Sequence, residues 1–185
     1  MAEDHNQDAE ELQSADAKRA GPGLRFLAWF LLLLAIIAVI ATPILRYQRE
    51  QQIKANEAVA INHIRTITEA QFGTSWRGEN NYAASFVVLT DSIHGPRFLL
   101  GDWYNGVEKD GYIFTMKGLG KIYDTPLPGP GADCYEVTAS PARPGHTGIR
   151  YFFSDCNGVI YGKVGGPADS TSTPVAAYPE WLLDK

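Results

Sequence analysis

Residues 26–45 read FLAWFLLLLAIIAVIATPIL, and this uncharged run, bounded by Arg25 and Arg46, decides how the rest of the chain is read. A helix of about 20 residues rises ~30 Å, roughly the thickness of a bilayer's hydrocarbon core. Inside lipid every backbone polar group needs an internal partner, so a helix is the expected form. The run is longer than the ~7–15 apolar residues of a signal-peptide core, and Thr42-Pro43-Ile44-Leu45 leads straight into charged sequence with no A-x-A site. It is therefore expected to stay as an anchor, with the bilayer as its first partner.

The flanks differ in character. The chain has 185 residues and a net charge of -5, and the acidity is concentrated upstream of the run. Residues 1–20 hold six acids against Lys18 and Arg19, leaving 15 acids and 14 bases for the remainder. Residues 1–23 read as a disordered acidic leader, either a short cytoplasmic tail or a cleavable segment ending in Gly21-Pro22-Gly23. The near-neutral remainder lacks the clustered basic face of a general nucleic-acid binder. Basic residues do not orient the span: Lys18, Arg19 and Arg25 precede it, and Arg46, Arg49 and Lys54 follow. The two cysteines, Cys134 and Cys156, both lie downstream. They are too few for a zinc site and fit one disulfide, which favours an extracytoplasmic C-terminal domain.

After the span the helical pattern continues. Pro43 places its ring against the carbonyl of Val39, so a kink is expected there. Between Arg46 and Phe72 there is neither Gly nor Pro. Ile53, Ala60, Ile64 and Ile67 share one helical face, while Gln51, Lys54, Glu57, His63 and Arg65 occupy the other positions. Gly73 is the expected stop. Tyr82–Leu89 (YAASFVVL) is read as a short helix, since Tyr82/Phe86 and Ala83/Val87 fit an i,i+4 spacing, and His94-Gly95-Pro96 breaks it.

From Gly111 onward the signal is β. Tyr112–Met116 (YIFTM) is rich in aromatic and β-branched residues, and Lys121-Ile122-Tyr123 continues the pairing. Thr125–Ala132 is a loop by composition. Cys134–Ala139, Ile149–Phe153 and Val159–Lys163 read as strands, with Pro141–Gly148 as a turn and Asn157-Gly158 as a tight hairpin signal. Three or four antiparallel strands result. In such a meander the start of the 134–139 strand lies beside the end of the 149–153 strand, which brings Cys134 and Cys156 within the ~6 Å that a disulfide needs. Residues 165–177 read as a linker, and Tyr178–Leu183 is an apolar terminus that docks on the domain or meets a partner. The expected organisation is thus a leader (1–23), a transmembrane and amphipathic helix (24–72), an α+β domain (73–164) and a C-terminal loop and tail (165–185).

This outline resembles the type IV pilins and type II secretion pseudopilins. The likeness rests on LLLLAIIAVIATPIL (31–45), NEAVAINHIRTITEAQ (56–71), DGYIFTM (110–116) and CYEVTASPARPGHTGIRYFFSDCNGVIYG (134–162). It implies an α+β fold in which a long N-terminal helix packs on a small antiparallel sheet. It also implies a structural role in a pilus or secretion pseudopilus, with other such subunits as partners through the apolar helix. Family precursors are cleaved after a glycine and carry a glutamate as the fifth mature residue. Here the candidate cleavage lies between Gly23 and Leu24, and the fifth residue is Ala28. The departure implies either an atypical minor subunit or a protein that keeps its leader as a permanent anchor.

Catalytic signatures are not found. His5, His63, His94 and His146 fall in four different elements, and there is no nucleophile elbow, phosphate loop or dinucleotide fingerprint. Asp155 and Asn157 suit turn capping better than calcium binding. Trp103, Tyr104 and Trp181 suit packing better than an exposed patch. No cofactor, metal or nucleic acid is expected, and the expected location is the cytoplasmic membrane with the domain outside.

Overall fold

The computed structural model describes residues 22–75, 82–90, 99–124 and 129–176. The leader through residue 21, the His94-Gly95-Pro96 break, residues 125–128 of the expected loop and the Tyr178–Leu183 tail lie outside them. The chain divides into two units, Met1–Gln48 and Arg49–Lys185.

Helix α1 (Pro22–Ser75) is 54 residues long. It begins at Pro22, inside the Gly21-Pro22-Gly23 end of the expected leader. Proline suits a first helical position because its missing N–H would have no partner there. The helix runs on through Pro43 and past Gly73, the expected stop. Downstream come β1 (Tyr82–Ala83), α2 (Phe86–Thr90), β2 (Val107–Lys109), β3 (Tyr112–Tyr123), β4 (Gly131–Pro141), β5 (Arg150–Asp155), β6 (Ile160–Val164) and β7 (Thr173–Ala176). The fold is α+β: a long N-terminal helix and an open antiparallel sheet in the order β2-β3-β4-β5-β6-β7, with β1 added on β4.

The sheet is wider than the sequence pattern indicates. Val107–Lys109 pairs with Tyr112–Phe114 across a two-residue turn, Asp110-Gly111, with φ of 49° and 78°. Positive φ at both positions is the geometry of the tight hairpin turn that Asp-Gly favours. Tyr82-Ala83 is a strand, not a helix, because it pairs with Gly131 and Ala132 at the start of β4. Only Phe86–Thr90 of that segment is helical. Thr173–Ala176, read as linker, forms the edge strand on β6. The β5–β6 connection is wider than the Asn-Gly signal suggests. Ser154 pairs with Ile160, and Gly158 alone of its dipeptide has positive φ.

One core joins α1 to the sheet. Ala60, Ile64, Ile67 and Ala70 bury against Tyr112, Phe114 and Met116 of β3, Tyr135, Val137 and Ala139 of β4, and Phe152 of β5. Three of the four residues expected on the packing face are therefore core; Ile53 is half-buried. A polar pairing reinforces the contact near the helix end. Gln71 is fully buried, and its amide mimics a strand. The Ala83 N–H donates to Oε1 at 2.8 Å, and Nε2 donates to the Ala83 carbonyl at 3.0 Å. This satisfies a backbone pair that burial would otherwise leave costly.

Candidate functional site

The apolar part of α1 is the leading candidate. Its large side chains are open to the surroundings, among them Phe26 (81% exposed), Trp29 (72%) and Val39 (73%). A soluble monomer seldom leaves so long a contiguous apolar surface uncovered. Length and composition make α1 the one helix among the described residues able to cross a bilayer. Within the run, the Thr42 hydroxyl donates to the Ala38 carbonyl one turn back, so its polar group is satisfied inside the helix. Pro43 has no N–H for Val39, an omission tolerated in membrane helices. The candidate cleavage bond between Gly23 and Leu24 lies in the first turn of α1. Such a surface suits lipid chains or like helices, where side-chain packing replaces water exclusion.

A second constellation ties α1 to the loop between β4 and β5. Glu57, one of the positions off the expected apolar face, is only 8% exposed. Its Oε1 accepts the N–H groups of Ile149 (3.0 Å) and Arg150 (3.2 Å), and Oε2 lies 3.7 Å from Arg150 Nε. Asn56 Nδ2 donates to the Thr147 carbonyl and Arg49 Nη2 to the Gly145 carbonyl, each at 2.9 Å. Beneath them the Tyr112 hydroxyl donates to the Arg150 carbonyl at 2.9 Å. Burial first, then the nearby Glu57 carboxylate, pushes the Tyr112 hydroxyl pKa well above its usual value. The approach requires Gly148, where an added Cβ would sit 2.0 Å from the Tyr112 oxygen.

The cysteines meet. Cys134 and Cys156 form a disulfide with Cα atoms 5.3 Å apart, linking β4 to the turn after β5. In that turn Asp155 accepts the Asn157 backbone N–H at 2.9 Å and its side-chain amide at 3.2 Å, so both carboxylate oxygens cap the turn. Trp103 is buried between Phe86, Phe114 and His63, whereas Tyr104 is exposed. His63 also pairs with Asp110 at 2.8 Å. On β4, hydrogen bonds from the Tyr123 hydroxyl and then the Lys121 N–H hold the exposed Asp133 carboxyl below its usual pKa. Among the described residues, no three His, Cys, Asp or Glu side chains cluster as a metal site would.

The pattern had hidden Glu57 and Gln71 because periodicity records which positions face inward and not which polar groups wait there. Both lie on or beside the stripe that contains Ala60, Ile64 and Ile67. Compared with known proteins, the chain matches no family model, no curated protein and no solved structure.

Proposed function

We propose that the chain is a non-enzymatic structural subunit or accessory of the pilin-like kind, serving a type IV pilus or a type II secretion pseudopilus. Phe26–Leu45 anchors it in the cytoplasmic membrane and packs against the same segment of other pilin-like subunits. The disulfide-bonded sheet domain is carried outside, in an oxidising compartment. The observation that carries this reading is the exposure of the apolar run on a helix whose later turns form the core of the sheet domain.

Ala28 favours a second reading. Without a glutamate at the fifth position after Gly23, the chain serves as a permanently tethered binding or sensing domain that enters no filament. The experiment is the intact mass of the protein from native membranes, together with its presence in sheared surface filaments. A chain starting at Leu24 and found in filaments supports the first reading. A chain retaining residues 1–23 and absent from filaments replaces it with the second.

A further inference from the structure

We propose that the cleft between the start of β5 and the β6–β7 connection is a binding site for a small organic carboxylate. It stands whether or not Phe26–Leu45 spans a membrane, because the residues that form it lie in β5, β6, β7 and the turn between the last two. The cleft is open to solvent and has a volume of about 570 Å³, within the ~300–1,000 Å³ of small-molecule sites.

Its floor is the margin of the core. Arg150 pairs with Val164 and Phe152 with Gly162 on neighbouring strands, and Gly162 pairs in turn with Thr173 of β7. Opposed residues of paired strands share a face, so Gly162 and Val164 follow Phe152 and Arg150 along one side of the sheet. The core gives out along this row. Phe152 belongs to it, Val175 packs at its edge, and Val164 is 64% exposed. Gly162 lets Val175 lie close, since an added Cβ would sit 2.8 Å from Val175 Cγ1. The result is an apolar surface at the foot of an open cleft.

Arg150 forms the charged wall. Its Nε lies 3.7 Å from Glu57 Oε2, beyond hydrogen-bond distance, and Glu57 Oε1 already accepts two backbone N–H groups. The Arg150 guanidinium makes no hydrogen bond among the described residues, so its planar fork is free for a bidentate carboxylate. Lys163 adds a second positive charge. Asp169 offsets part of that charge, but its carboxylate is engaged within its own turn. There Oδ1 accepts the Thr171 N–H at 2.9 Å, the Thr171 hydroxyl at 2.6 Å and the Ser172 hydroxyl at 3.2 Å. None of the described residues that line the cleft is a carboxylate. Two cations call for an anion, and the valine floor calls for an aliphatic body, which inorganic phosphate lacks.

The test uses the full chain in detergent micelles, titrated with 3-methylbutanoate and followed by the amide chemical shifts of Gly162 and Val164. Uncharged 3-methylbutanamide and inorganic phosphate are the comparisons. Saturable shifts with a midpoint of about 1 mM are expected, an affinity ordinary for a ligand of this size. Losing the charge–charge contact should weaken binding about tenfold, whether through the amide ligand or through Arg150→Gln. Val164→Glu, at an exposed position, places a like charge in the cleft without touching the Glu57 network and should weaken binding to a similar degree. Absence of saturable shifts, equal midpoints for the acid and its amide, phosphate binding as tightly as the acid, or a midpoint unchanged by either variant would overturn the proposal.

Discussion

Replacing Glu57 tests whether the helix and the sheet domain are joined by chemistry as well as by apolar packing. Glu57→Ala leaves the N–H groups of Ile149 and Arg150 without their acceptor and removes the carboxylate beside the Arg150 guanidinium. A hydrogen bond to a charged group contributes about 1.5–3 kcal/mol. The pair with Arg150 adds little, because that side chain is 46% exposed and solvent screens it. The two N–H groups flank exposed residues, so water recovers part of the loss. Glu57→Ala should then destabilise by about 3 kcal/mol. Glu57→Gln keeps an acceptor oxygen but not its charge, and should cost about 1.5 kcal/mol. For a domain of this size these correspond to drops in Tm of roughly 10 and 5 °C. Guanidinium titrations for the free-energy differences and thermal melts for Tm, both of the detergent-solubilised chain and read by tryptophan emission, supply the comparison. Glu69→Ala, on the exposed side of the same helix, is the control and should stay within about 0.5 kcal/mol. If Glu57→Ala melts together with Glu69→Ala, the assignment of Glu57 as the helix–loop tie is wrong.

Three further outcomes follow from the same structure. Cys134→Ser with Cys156→Ser opens a loop with a sequence separation of 22 and should cost about 3 kcal/mol in the chain-entropy model, measured as the difference between oxidised and double-serine melts; equal melts would remove the bond from the account of stability. The raised pKa of Tyr112 means that its contribution is complete below the ordinary tyrosine value near 10 and is lost as pH rises above it, so stability should fall more steeply above about pH 10 in the wild type than in Tyr112→Phe. Gln71→Ala should cost about 2–3 kcal/mol by orphaning both backbone groups of Ala83, and hydrogen exchange of the Ala83 amide should accelerate ahead of the rest of the sheet.

What could be read from residues and what could not divide along physical lines. The apolar run was legible as a helix long and apolar enough to cross a bilayer because it carries no charge over that length, and the stripe at Ala60, Ile64 and Ile67 was legible because helical periodicity and burial coincide there. The disulfide was legible because antiparallel strands bring fixed positions together. The misreadings came where tertiary pairing overrides local preference. Tyr82-Ala83 became a strand because the start of β4 and the Gln71 amide were waiting for its backbone. Thr173–Ala176 became a strand because β6 offered an open edge. Val107–Lys109 is marked in the sequence only by the Asp-Gly turn beside it, since three residues are too short for an alternating pattern. The burial of Glu57 was not legible, because a charged residue next to an apolar stripe is usually solvated and its two N–H partners come from 92 and 93 residues further along the chain.

The central claim is that Phe26–Leu45 crosses a bilayer. Its most direct test is extraction of native membranes with alkaline carbonate, followed by detection of the chain in pellet and supernatant. The account predicts that the chain stays in the pellet and leaves only with detergent. Release into the supernatant by carbonate alone would contradict it.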